Sequence, residues 1–312
     1  MAAEPVISVH GLHKAYGPHE AVRGVDLEVQ AGEIFGFLGP NGAGKSTTIE
    51  ILEGYRSRTA GEVSVLGVDP AKPTRAWRER IGLVLQDSEL EPTLTVRETV
   101  TLFSDFYPSP RPVDETIELV GLAAKRDARM GTLSGGQRRR ADVAVALIGD
   151  PDLVFLDEPT TGFDPTARRD AWHMIEGLKD LGKTIFLTTH YMDEAQHLAD
   201  RVAILAEGRI VARGRPSELG AGGEQVSVIR FRLPEGVSAE LVGAEAGAPA
   251  HVSGGEVSVR TGDPQPTLLR LLTWAQRSGI SLDALEVQRP TLEDIFLQLT
   301  QTSAAGGGAA SS

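Results

Sequence analysis

Residues 39–47 read GPNGAGKST, and this stretch decides the fold. It fits the spacing G-x-x-x-x-G-K-[ST], in which glycines let the backbone turn so that successive N–H groups converge on phosphate oxygens. The apolar run EIFGFL at 33–38 leads into it, and the pattern predicts a helix over 45–53. The start of that helix adds its positive dipole end at the same point. Lys45 is placed to reach the β- and γ-phosphates of a nucleotide, and the Ser46 hydroxyl to bind Mg²⁺. Gly39, Pro40, Asn41, Gly42, Ala43, Gly44 and Thr47 complete the candidate cradle. A glycine-rich turn that binds nothing is the simpler alternative. It leaves the strand–loop–helix order, which phosphate binding requires, without a reason.

Outward from the loop, 6–9 and 25–29 alternate apolar and polar residues, as half-buried strands do, and 62–66 and 81–85 read as further short strands. From Thr95 to about Ala124 the pattern is helical, broken by PSPRP at 108–112, and another helix is expected over 134–148. LVFL at 153–156 and TIFLTT at 184–189 are continuous apolar runs, the signature of parallel strands covered on both faces. Between them 165–180 reads as a crossover helix with Pro in its first turn. Residues 202–205 and 209–213 suggest a hairpin around Glu207-Gly208. The alternation of strands and helices implies an α/β domain over 1–220 with a helical insert at about 88–150. GAGGE at 220–224 reads as a linker. Beyond it, VSVIRFRL, EVSVR, a helix over about 265–279, a strand at 282–287 and a helix at 291–300 predict a small α+β domain over 221–303. The last nine residues, AAGGGAASS at 304–312, are low in complexity and expected to be disordered.

Composition narrows the classes. The 312 residues carry 31 basic and 43 acidic side chains, a net charge of −12, which argues against a nucleic-acid surface. Cysteine is absent, which excludes disulfides, thiol catalysis and cysteine-ligated metals. No apolar run reaches the roughly 18 residues of a membrane helix. The start, MAAEPVISVH, lacks the charge and apolar pattern of a secretory signal. The expectation is a cytoplasmic protein that meets a membrane only through a partner.

Downstream, LSGGQ at 133–137 opens a helix, and 153–158 reads LVFLDE. Asp157 ends a buried strand, where a carboxylate can hold Mg²⁺ directly or through water. Ser134, Gly135 and Gly136 stand at a helix N-terminus, a second anion site. The alternative for Asp157 and Glu158 is that they cap the next turn. The three Arg residues at 138–140 read as a solvated face.

With these residues in order, the sequence resembles the ATP-binding-cassette (ABC) ATPases over about residues 5–220. That family orders phosphate loop, Gln loop, LSGGQ signature, metal acid with a following Glu, D-loop and His. Lys45, Gln86, residues 133–137, Asp157 with Glu158, Asp164 and His190 match in turn. The resemblance implies that Glu158 is the general base and that His190 contacts the γ-phosphate and orients water. It implies that Gln86 touches Mg²⁺ and the water region, and that Tyr16, in KAYG, stacks on adenine. It also implies that Ser134, Gly135, Gly136 and Gln137 face ATP bound to a second subunit, with Asp164 across the same interface. Two chains would then sandwich two Mg-ATP, and a separate transmembrane permease would hold the pair at the inner face of the membrane. Where the family more often has Leu, this chain has Phe163.

The block LSGGQRRRADVAVALIGDPDLVFLDEPTTGFDPTARR is similar to ATPases of the daunorubicin/doxorubicin-resistance type, which also carry a small C-terminal domain. TLEDIFLQLT at 291–300 resembles the LEDVFL stretch near the end of that subgroup. The same helix also fits a plain core-packing role through Leu292, Ile295, Phe296 and Leu299. The expectation is therefore an ATP-hydrolysing exporter subunit of antibiotic-efflux type. A non-transport ABC ATPase of DNA repair or translation is the competing reading. It usually brings coiled-coil or zinc insertions, or two cassettes, and none of these is visible here. A regulatory module without turnover would not need both Glu158 and His190.

Overall fold

The computed structural model describes residues 4–86, 90–219, 227–233, 238–288 and 292, and these divide into two compact units, before and after the Arg215–Pro216 bond. The expected boundary at 220 and the glycine-rich run at 220–224 fall next to or among residues outside the description.

The first unit opens with two long antiparallel strands, β1 (Ile7–Tyr16) and β2 (His19–Val29). Both run well beyond the alternating segments at 6–9 and 25–29. Gly11, at φ +53°, interrupts the alternation where the β1–β2 register shifts between Val9 and Leu12. The bulge moves the apolar set by one residue, so the full strand does not read as a period of two. β3 (Ile34–Leu38), α1 (Lys45–Leu52), β4 (Ala60–Val65), a single-turn α2 (Arg75–Arg78) and β5 (Ile81–Val84) follow. The insert contributes α3 (Val96–Ser104), α4 (Val113–Leu119) and α5 (Gly135–Leu147), the first two separated at the predicted proline-rich break. β6 (Leu153–Asp157), α6 (Pro165–Asp180), β7 (Thr184–Thr189), α7 (Met192–Leu198), β8 (Arg201–Ala206) and β9 (Arg209–Gly214) complete the unit.

A six-stranded sheet in the order β5-β6-β7-β3-β8-β9 forms its centre, and only the last pair is antiparallel. β2-β1-β4 make a separate antiparallel sheet. Every residue of β3 and β7 is buried, as expected for strands covered on both faces. On one face Phe186 packs against Phe35 and Phe155, with centroids 5.7 and 5.6 Å apart, beneath the antiparallel sheet and α1. On the other, Ile185 and Leu187 meet Val143, Leu147 and Ile175 of the insert and α6. Phe186 is fully buried, so Phe186→Ala would cost about 3–5 kcal/mol. The order β6-β7-β3 brings the carboxyl ends of three neighbouring strands to one edge, where α/β sheets bind ligands.

The second unit begins with α8 (Pro216–Leu219) and continues as β10 (Ser227–Arg232), α9 (Ala239–Ala246), β11 (Ala250–Ser253), β12 (Glu256–Thr261), α10 (Pro264–Ser278) and β13 (Asp283–Gln288). The sheet order β11-β12-β10-β13, antiparallel throughout, is the split-βαβ arrangement. Ile229, Phe231, Val257, Leu271 and Trp274 form its core. α9 is missing from the sequence reading because AELVGAEA is short and rich in small residues, with little facial contrast. The helix expected at 291–300 lies outside the described residues except for Leu292, which is buried, and the tail at 304–312 lies outside them entirely.

Candidate nucleotide site

Leu38 ends β3 and the chain turns through the loop into α1 by three glycines in the left-handed half of conformational space, Gly39, Gly42 and Gly44. Two of them answer to close approach as well. A Cβ at Gly39 would stand 2.3 Å from the carbonyl oxygen of Leu205, and one at Gly44 would stand 2.4 Å from that of Ala21. Gly44 is the N-cap of α1 and offers no side-chain acceptor, and the first turn holds no acid. By contrast α3, α5 and α6 cap themselves with Thr95, Ser134 and Asp164. The first N–H groups of α1 are thus left facing the cleft, an anion site.

The cleft measures about 450 Å³ and is lined by Tyr16, Asn41, Gly42, Gly44, Lys45, Ser46, Thr47, Gln86 and Glu158, with His19 and Ala21. The structure therefore gathers most of the predicted contacts at one place. Lys45 is only 5% exposed, and its ammonium donates to the carbonyls of Gly39 (2.7 Å) and Pro40 (3.2 Å). Burial pushes its pKa down, while Glu158 and Asp157 work against that shift. Ala43 faces inward and its N–H closes the loop on Pro40. Tyr16 is half-exposed, with Lys14 and Arg56 within 5.0 and 5.5 Å of its ring.

Asp157 stands at the end of β6 beside Lys45. Burial pushes its pKa up, against a hydrogen bond from the Thr188 hydroxyl. A divalent cation there would hold the carboxylate ionised. Among the described residues no cluster of three or more acids and histidines could hold a metal alone. One carboxylate and the Ser46 hydroxyl, completed by phosphate oxygens, suit Mg²⁺. The donors present fit Mg-ATP: an uncapped helix start and a buried lysine face the cleft, and the half-buried Asp157 carboxylate stands beside that lysine.

Glu158 follows in a left-handed conformation, φ +46°. Its N–H donates to both the carbonyl and the hydroxyl oxygen of Thr188, each at 3.1 Å. Its carboxylate accepts from the Thr161 hydroxyl at 3.1 Å. His190 Nδ1 lies 3.2 Å from the same carboxylate, outside hydrogen-bonding geometry.

The signature residues are not part of this cleft. Ser134 and Gln137 form a capping box, each side chain accepting from the other's backbone N–H. Ser134, Gly136 and Gln137 line a different cavity of about 320 Å³, together with Phe163. Gly135 stands at the same helix start, and Asp164 caps α6 by accepting from Thr166 and Ala167 N–H at 2.9 Å. The two groups thus line separate cavities of the same chain.

Several residues around the site were not singled out in the sequence. Thr188 touches both acids but sits in an apolar strand as an unremarkable β-former. Arg139 corrects the expectation of a solvated face at 138–140. It is 8% exposed and bonds to the carbonyls of Leu85 and Asp157. Glu53, just after α1, is buried, and that burial, with Asp157 and Glu50 nearby, pushes its pKa up to about 8. Buried Glu194 accepts from the Thr160 hydroxyl (2.7 Å) and from Trp172 Nε1 (3.2 Å). The polar side chains of Arg139, Glu53 and Glu194 give no sign in sequence of the burial the fold imposes on them.

Comparison with known proteins agrees with this geometry. Residues 22–161 match the family model described as ABC transporter, and 227–291 match that of the C-terminal domain of ABC transporter domain-containing protein-like sequences. The chain is 38% identical over 300 residues to Nod factor export ATP-binding protein I of Burkholderia lata, covering 94% of this chain and 96% of the relative. It is 40% identical over 302 residues to the protein of that name from Rhizobium etli, covering 94% and 93%. Among solved structures, cbiO1 from Clostridium perfringens, part of the ABC transporter complex cbiONQ, aligns with TM-score 0.64 and 28% identity over 70% of this chain and 91% of that one. The dimeric post-hydrolysis state of the cassette MJ0796, bound to ADP and Pi, aligns with TM-score 0.60 and 26% identity over 67% and 98%. The chain belongs to the ABC transporter family, as an ATP-binding and ATP-hydrolysing subunit that uses Mg-ATP.

Proposed function

We propose that this chain powers an exporter, working as a homodimer on a separate transmembrane permease at the inner membrane face. The observation that carries this reading is near end-to-end likeness to export ATPases, with both units included, at 38–40% identity. Among the described residues no helix is long and apolar enough to cross a membrane, so translocation needs the partner. No feature favours the DNA-repair or translation alternative.

The cleft and the family resemblance support these roles. Lys45 and the loop from Gly39 to Thr47 bind the phosphates, Ser46, Asp157 and Gln86 hold Mg²⁺, and Tyr16 supports the adenine. Bound Mg²⁺ supplies charge neutralisation at the β- and γ-phosphates. Glu158 polarises the attacking water, and His190, 3.2 Å from its carboxylate, orients that water against the γ-phosphate. Ser134, Gly135, Gly136, Gln137 and Asp164 complete the site of the opposite subunit. For cargo we retain the drug and antibiotic class, on the daunorubicin-type block at 133–169; the named relatives support export as such.

The test is reconstitution of this chain with a candidate transmembrane permease. ATP-dependent uptake of a fluorescent anthracycline into inside-out vesicles, abolished by Glu158→Gln, is expected. Uptake without this chain would remove the export reading. ATP-dependent transport of some other amphiphile, with no anthracycline movement, would remove only the cargo.

A further inference from the structure

The Arg139 side chain sits between the carboxyl ends of two adjacent parallel strands. One guanidinium nitrogen donates to the carbonyl of Leu85, the residue before Gln86, and the other to the carbonyl of Asp157 at 2.6 Å. The second bond fixes one end of the Asp157–Glu158 peptide. The other end is fixed by Thr188, which accepts the Glu158 N–H at 3.1 Å. The peptide is therefore held from both sides, and it needs to be. At φ +46° Glu158 adopts a backbone conformation that costs about 1–2 kcal/mol and persists only where its surroundings over-determine it.

Arg139 belongs to α5, the helix that Ser134 caps. Arg139 lies five residues on, within about one and a half turns of the serine, so the two are joined by the helix's own hydrogen-bonded backbone. Breaking either of the guanidinium's two charge-assisted bonds in a buried place is costly. Unless both carbonyls follow the helix, these two bonds are lost.

We propose that Arg139 is a positioning residue for hydrolysis, clamping the Asp157–Glu158 peptide and the Leu85–Gln86 segment to the signature helix, so that Glu158 is aimed only when α5 is docked. This rests on the reading of Glu158 as the general base. Lysine is a poor substitute, because a single ammonium does not reproduce the planar fork that spans two carbonyls.

The experiment uses the full chain with Arg139→Gln, Arg139→Lys, Glu158→Gln and the double variant Arg139→Gln/Glu158→Gln. Melting temperature, Mg-ATP affinity and steady-state phosphate release are measured for each. Arg139→Gln should leave the ATP dissociation constant within about twofold and lower kcat at least about tenfold, since misaiming a catalytic group by an ångström is costly. Arg139→Lys should recover melting temperature ahead of turnover. It also serves as the readable variant if glutamine prevents folding. In the Glu158→Gln background, Arg139→Gln should lower the residual rate by less than about twofold, because it acts through a base already removed.

Turnover within twofold of wild type in both Arg139 variants overturns the proposal. A full additional loss in the double variant does so too, as does a fall in affinity that matches the fall in kcat. Wild-type turnover in Glu158→Gln alone would instead overturn the base reading, and the proposal with it.

Discussion

The Lys45 ammonium stands 3.7 Å from the Glu158 carboxylate, so the lysine proposed to bind phosphate and the proposed base are already paired across the cleft. The pairing sets opposite expectations for the two side chains. Glu158→Gln removes a negative charge that competes with phosphate for Lys45, while the bonds from Lys45 to Gly39 and Pro40 remain. Mg-ATP should bind as tightly as to wild type or tighter, and hydrolysis should fall by about 100-fold or more as the base is lost. Lys45→Ala should weaken nucleotide binding itself. Calorimetry with Mg-ATP and a phosphate-release assay separate the two, and turnover within twofold of wild type in Glu158→Gln would take Glu158 out of the base role.

Thr188 offers a subtler probe. Its hydroxyl donates to Asp157 and accepts from the Glu158 N–H, whereas its carbonyl, which also holds that N–H, survives any substitution. Thr188→Val keeps shape and β-propensity but leaves the half-buried Asp157 carboxylate short of a donor. The Mg²⁺ concentration for half-maximal ATPase should rise and kcat should fall about tenfold. Thr188→Ser restores the hydroxyl and should stay near wild type. Equal, wild-type Mg²⁺ titrations for all three proteins would show that the hydroxyl does nothing for the metal acid.

Glu53 predicts a pH signature. Burial raises its folded pKa to about 8, with Asp157 and Glu50 adding to the shift, from 4.5 in the open chain. Between those values the folded protein binds the extra proton, so stability falls as pH rises through that window. The contribution is fully present below the unfolded value and gone above the folded one. Glu53→Gln, permanently neutral, should therefore melt higher than wild type at pH 8.5 by at least about 2 °C and show no such gain at pH 4.5. A difference between the two proteins that is the same at both pH values would show that Glu53 is not held protonated.

The cleft was legible because its chemistry is written in short runs: GPNGAGKST and LVFLDE each place their functional groups directly after a strand. Strand order is not written there, yet β6-β7-β3 adjacency is what brings Lys45, Asp157 and His190 to one edge. The resemblance supplied that link. Arg139 shows the opposite case. Three consecutive arginines look alike in sequence, and only the turn of α5 separates one buried between two carbonyls from its neighbours. The left-handed Glu158 was equally hidden, since the strain belongs to the packing around it and not to a glutamate in that position.

The last prediction concerns the signature. Ser134 and Gln137 close a capping box, so the serine is structural within its own chain. A bulky replacement would damage the helix and confuse two causes. Ser134→Asp avoids this, because aspartate caps a helix start as well as serine does. Its carboxylate would nonetheless repel a γ-phosphate presented by the opposite subunit. Melting temperature should hold within about 2 °C while ATPase falls at least about tenfold. Lys45→Ala, the second variant, disables the phosphate loop instead. Mixed dimers contain one doubly damaged site and one intact site, made of Lys45 from the Ser134→Asp chain and Ser134 from the Lys45→Ala chain. A one-to-one mixture should regain up to about a quarter of wild-type turnover if the sites act independently, since half the two-fold dimers are mixed and each has one working site. Two affinity tags confirm the mixed dimer before phosphate release is measured. Wild-type turnover in Ser134→Asp alone would mean that the serine end of α5 never meets the γ-phosphate of a partner.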